Sequence, residues 1–187
     1  EYEQHVFKDI TRRPLIMCSD NHNPKDYTVK EMLWIKADLT FAGLKQCLYQ
    51  PQERVFIGNV PPALERVSKN RQSNISSISC RRIDQPVNKE TTWFDFDIPL
   101  NPSMVAVIGN KGSGKSAFSD IIGHLCCCNT MDNASFLNDR RFRKAPKKYA
   151  NDYSATLTWF DGETRTDSLA VTQNKSAIED AQYLPQK

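Results

Sequence analysis

The stretch Met104-Val105-Ala106-Val107-Ile108-Gly109-Asn110-Lys111-Gly112-Ser113-Gly114-Lys115-Ser116, residues 104–116, decides the fold. An apolar run suited to a buried strand enters G-x-x-x-x-G-K-[ST], and helical spacing follows from about Lys115 to Cys127. Glycines at this spacing let successive backbone N–H groups turn inward around phosphates, and the helix that follows aims its positive end at the same charge. Gly109, Asn110, Lys111, Gly112, Ser113, Gly114, Lys115, Ser116 and Ala117 are therefore the expected ATP-binding residues. Lys115 would reach the β and γ phosphates as the catalytic cation, and the Ser116 hydroxyl would hold Mg²⁺.

Working outward, residues 75–83 and Thr92–Ile98 have the pattern of strands, the second alternating bulky and acidic side chains. Tyr153–Phe160 and Thr164–Val171 flank Asp161-Gly162, a hairpin-turn signal, and residues 177–180 predict a helix or turn. Upstream, Pro14–Cys18 is a short apolar run ending in Ser19-Asp20-Asn21-His22-Asn23-Pro24, which predicts a buried strand entering a turn. Residues 28–36 and 40–49 have mostly helical spacing, the latter with Thr40 placed as a cap. Between the halves, residues 58–74 carry paired prolines and then a polar stretch, the composition of a linker.

The totals restrict the classes. With 187 residues, 39% hydrophobic and 25% charged, the chain is an ordinary globular one with room for one or two domains. A net charge of +3 is mildly basic, and its densest stretch is Arg140, Arg141, Arg143, Lys144, Lys147 and Lys148. That stretch reads either as a track for a phosphate backbone or as a solvated loop. There is no apolar run long enough for a membrane span and no secretory leader, so the expected compartment is the cytoplasm with no membrane partner. Cys126, Cys127 and Cys128 lack the spacing of a zinc site and read as small buried thiols after the phosphate loop.

Hydrolysis also needs an acidic strand end to hold the metal, and no run of four apolar residues followed by Asp-Glu occurs after residue 116. The order FDFDIPLN, phosphate loop, antiparallel hairpin and then YLPQ resembles the first lobe of ABC-type ATPases in the SMC-like branch. The resemblance implies that Gln186 touches Mg²⁺ and the attacking water as a second catalytic residue. It also implies that an active site is completed by two heads facing each other, in a homodimer or higher oligomer, and that this stretch alone is inactive.

MCSDNH, LWIKADLTFAGLKQCLYQPQERV, SAFSDIIG and ASFLNDRRF together resemble the TrlF-like family, in which a PHP phosphoesterase domain precedes an SMC/ABC-like ATPase. The fold class implied is α/β: the C-terminal end of a PHP-type β/α barrel over residues 1–57, a linker over 58–74, and an incomplete N-terminal ATPase lobe over 75–187, with a central sheet and an antiparallel hairpin. On spacing alone, Asp20 and His22 are either turn residues or metal ligands. The resemblance makes them ligands of a Mn²⁺ or Zn²⁺ site that activates water against a phosphoester. The other His and Glu ligands of such a site have no counterpart here, so either the rest of the barrel lies on sequence outside this stretch or the phosphoesterase is degenerate. Trp34, Phe41, Leu44 and Leu48 are the expected tail of the barrel core.

Two functions follow as expectations. The first is an ATPase that controls a metal-dependent phosphoesterase or nuclease acting on nucleic acid, in bacterial defence. The second is a nucleotide-dependent dimerisation switch or docking module without turnover.

Overall fold

The computed structural model describes residues 13–19, 21–26, 28, 30–89, 92–172 and 178–184. They form a mixed α/β chain with two small antiparallel sheets, divided into units Glu1–Arg66 and Val67–Lys187. No β/α barrel is present among the described residues. Nor is any helix among them long and apolar enough to cross a membrane.

In the first unit, β1 (Leu33–Ile35) pairs antiparallel with β2 (Val55–Ile57), with Trp34 opposite Phe56. Two short helices, α1 (Phe41–Gln46) and α2 (Pro51–Arg54), connect them. The Thr40 side chain accepts from the Gly43 N–H at 3.0 Å, so the expected cap starts α1. A side chain at Gly43 would meet the Asp38 carbonyl at 2.4 Å, so only glycine permits that approach. Residues 33–35, expected to be helical, are instead held extended by the ladder to β2, whose register outweighs three residues' worth of helical spacing.

Pro14–Cys18 is not a strand, and Leu15 and Ile16 are exposed. Phe41, Leu44 and Leu48, expected as core, are also exposed, while Trp34 is half-buried and donates its indole N–H to the Gly58 carbonyl at 3.0 Å. A sheet of two three-residue strands offers too little apolar surface to cover them. The 58–74 segment contains the boundary between the two units, and within it Pro62 opens the helix α3 (Pro62–Lys69), because a proline costs little in a first helical turn.

The second unit is organised on β3 (Ile75–Arg82), which lies between β4 (Phe96–Pro99) and β5 (Tyr153–Trp159), with β6 (Thr164–Ser168) outside β5. Alternation along the strands places Ile78 and Cys80 of β3 and Tyr153, Ala155 and Leu157 of β5 in the core. The helix α4 (Lys115–Leu125) buries Ala117, Asp120, Ile121, His124 and Leu125, one stripe at helical spacing. Asp161-Gly162 turns the β5–β6 hairpin with Gly162 at φ 94°, and the Glu163 N–H donates to the Asp161 carboxylate at 3.0 Å.

Two expected strands are shortened or missing for visible reasons. Thr92–Asp95 stays outside the ladder because Trp93 and Phe94 turn into an aromatic cluster: the Phe94 ring lies 5.5 Å from Phe142 and 5.6 Å from Tyr153. The Trp93 N–H is taken by the Tyr153 hydroxyl at 2.7 Å instead of by a neighbouring strand. Met104–Ile108 pairs with no described strand, and Met104 and Ile108 are 83% and 88% exposed. The described part of residues 177–180 forms no helix.

Polar contacts close the unit. Buried Asp152 accepts from the Val87 N–H at 2.8 Å and from the backbone and side-chain N–H groups of Asn88 at 2.9 and 2.7 Å. Burial by itself would raise its pKa, but these hydrogen bonds outweigh burial and hold it below the ordinary 3.8. A depressed carboxyl contributes stability that is present above its unfolded pKa and lost as pH falls through the folded one. Asp152→Asn is therefore expected to lower the urea midpoint at pH 7, with the gap to the unmodified chain narrowing below pH 4; a gap independent of pH would show that the carboxylate charge contributes nothing.

Candidate nucleotide site

The glycine loop 109–114 joins the exposed segment 104–108 to α4. Gly109 lies at φ 158°, and a Cβ there would fall 2.5 Å from the Ser113 hydroxyl oxygen. Gly114, the residue before α4, takes φ 93°, a left-handed conformation that a side chain would strain. No side chain caps the N–H groups of the first turn of α4, at Lys115, Ser116 and Ala117. The Lys115 ammonium crosses the loop and donates to the carbonyls of Gly109 at 2.6 Å and Asn110 at 2.8 Å.

The expected residues fall together. Asn110, Lys111, Gly112, Ser113 and Ser116 are exposed around the loop, whereas Ala117 is 2% exposed and anchors the helix in the core. A cavity of about 1390 Å³ opens on residues 111–118 and is also lined by Trp93, Phe96, Val107, Phe136 and Arg141. Lys111, Lys115 and Arg141 are its cations; Asp95 is the acid among its described lining, and Arg81 holds that carboxylate at 3.0 Å. Such a wall, apolar and aromatic with a net positive charge, suits a polyanion carrying a ring.

A second cavity, about 470 Å³, lies at the other end of α4. His124, Arg140 and Arg143 face Asp132 and Asp139 there, a mixture of signs that selects no particular ligand. His124 is buried; its Nε2 is 3.2 Å from the Ser168 carbonyl and its Nδ1 3.4 Å from Arg143. Burial first, and then the Arg143 charge, lower its pKa, so the ring is neutral and carries its proton on Nε2. Arg143 also donates to the carbonyls of Leu169 and Val171 at 2.8 Å, so this member of the basic stretch ties its loop to the hairpin.

Asp20 and Gln186 lie outside the described residues. His22 is exposed on a bend beside Asn21 and Asn23, whose side chains bond to Asp26. Among the described residues, no three His, Cys, Asp or Glu side chains come together as metal ligands.

The motif does not announce every group on α4 or around the cavity. Asp120 is fully buried on α4, accepting from the N–H groups of Phe136 at 2.7 Å and Leu137 at 2.9 Å. A legible signal existed: an aspartate inside an apolar helical stripe requires buried partners. Arg141 and Trp93 reach the cavity through tertiary packing that no local spacing encodes. Compared with family models, with curated proteins and with solved structures, the chain finds no match.

The cysteine triplet follows α4 as expected and is buried, at its end rather than within it. Burial pushes the thiols of Cys126 up to about 12 and Cys128 up to about 11, which disfavours their thiolate forms. Exposed Cys18 alone should therefore react rapidly with an aromatic disulfide reagent at pH 8, and the other five thiols only after unfolding. Rapid reaction of more than one thiol would contradict the buried triplet.

Proposed function

We propose that this chain binds ATP through residues 109–117 and serves as the nucleotide-holding lobe of an ABC/SMC-like ATPase. The observation that carries the reading is Lys115 folded across a glycine loop at the uncapped start of α4. Phosphate oxygens would replace the Gly109 and Asn110 carbonyls as partners of the ammonium, and the first-turn N–H groups would meet the same charge. The exposed Ser116 hydroxyl would hold Mg²⁺, which would supply charge neutralisation at the phosphates. The cavity's aromatic and apolar wall would take the base and sugar.

Beyond binding, the reading rests on resemblance. A second ATPase lobe, Gln186 as the residue near metal and water, and pairing of two heads would complete hydrolysis. The turnover would control a PHP-type phosphoesterase, with Asp20 and His22 as ligands of Mn²⁺ or Zn²⁺, acting on nucleic acid in bacterial defence. A second reading, a nucleotide-dependent dimerisation switch without turnover, is favoured by one detail: the acid that lines the cavity among the described residues is already engaged by Arg81.

Lys115→Ala is expected to weaken ATP binding at least about tenfold, roughly 1.4 kcal/mol, in equilibrium dialysis. Equal affinity in the variant would remove Lys115 from the site. In a protein that also carries the second lobe, dimerisation driven by ATP without phosphate release would favour the switch, and phosphate release that requires Lys115 the ATPase.

A further inference from the structure

Asp120 joins three parts of the second unit through one carboxylate. One oxygen accepts from the backbone of Phe136 and Leu137, and the other accepts the Tyr183 hydroxyl at 2.5 Å. Removing a charge this completely from water is tolerable only because both oxygens are bonded. Burial, and then Asp120 itself, hold the Tyr183 phenol well above the ordinary tyrosine range, so it remains a proton donor throughout the physiological range.

Tyr183 belongs to a strap, residues 178–184, that lies along the far end of α4. The strap is fixed at several points: the Asp180 N–H donates to the Cys126 carbonyl at 3.0 Å, Glu179 accepts from Asn129, and the Thr130 hydroxyl donates to the Tyr183 carbonyl at 2.6 Å. Arg165 bonds both the Leu125 carbonyl and the Asp180 carboxylate. These contacts hold the strap near the helix end. The phenol reaches farther toward the helix N-terminus, and its ring lies so close to the backbone that a Cβ at Gly123 would stand 3.0 Å from it.

Asp120 follows Ser116 by one helical turn, and the Phe136 that it fixes lines the same cavity as the glycine loop. The carboxylate one turn after Ser116 thus holds both a wall residue of that cavity and the strap. We infer that the Tyr183–Asp120 hydrogen bond is a positioning contact that carries nucleotide occupancy at Lys115 to the 178–184 strap. The inference rests on the ATP-binding reading and adds to it the path by which occupancy is felt elsewhere in the chain.

The test is hydrogen–deuterium exchange on the full 187-residue chain with and without Mg·ATP, comparing the unmodified chain, Tyr183→Phe and Thr130→Val. Mg·ATP is expected to slow exchange in both α4 and the strap of the unmodified chain. Tyr183→Phe keeps the ring against Gly123, so ATP affinity should stay within about threefold and α4 should remain protected, while the ATP-dependent protection of the strap is lost. Thr130→Val removes a docking bond that does not involve Asp120, and the strap should still respond. Three results overturn the inference while leaving ATP binding intact: no strap response in the unmodified chain, an undiminished response in Tyr183→Phe, or equal loss in Thr130→Val. Absence of ATP binding to the unmodified chain would overturn the ATP reading and the inference together.

Discussion

The stripe of α4 packed against the sheet is the constraint from which the rest of the second unit follows. Ile121 and Leu125 share one core with Ile78, Cys80, Tyr153, Ala155 and Leu157, all essentially inaccessible to solvent. Because the buried stripe begins at Ala117, the helix is fixed while its first two residues remain at the cavity. The bare, positive end of a well-anchored helix then presents Lys115 and Ser116 beside the glycine loop. The anchoring stripe and the proposed phosphate-binding end thus share the same eleven residues.

Polar groups set in that core give the arrangement its uniqueness. His124 binds the β6 end and the basic loop, while Asp120 binds residues 136–137 and the strap. Apolar contacts could tolerate small slips of the helix, but a buried carboxylate that loses any one partner incurs a desolvation cost of roughly 1–3 kcal/mol. The helix register is therefore specified by these hydrogen bonds together with its apolar face.

What the sequence made legible was whatever is determined locally. The helix after the glycine loop with its buried stripe, the Asp-Gly turn and the Thr40 cap depend on neighbours a few residues away, and each formed where its spacing placed it. Residues 33–35, 92–95 and 104–108 depended on distant partners: β2 drew the first into a ladder, an aromatic cluster withdrew the second, and no described strand accompanies the third. In the candidate site, the loop was readable from glycine spacing, whereas Arg141, Trp93 and the Asp120–Tyr183 bond exist only through long-range packing.

Calorimetric titration of Mg·ATP into the unmodified chain tests the central claim most directly. The account predicts one saturable site per chain with a dissociation constant between about 1 μM and 1 mM, abolished by an excess of competing ADP. Titration to millimolar Mg·ATP with no saturable heat, and no displacement of a fluorescent ATP analogue under the same conditions, would contradict it.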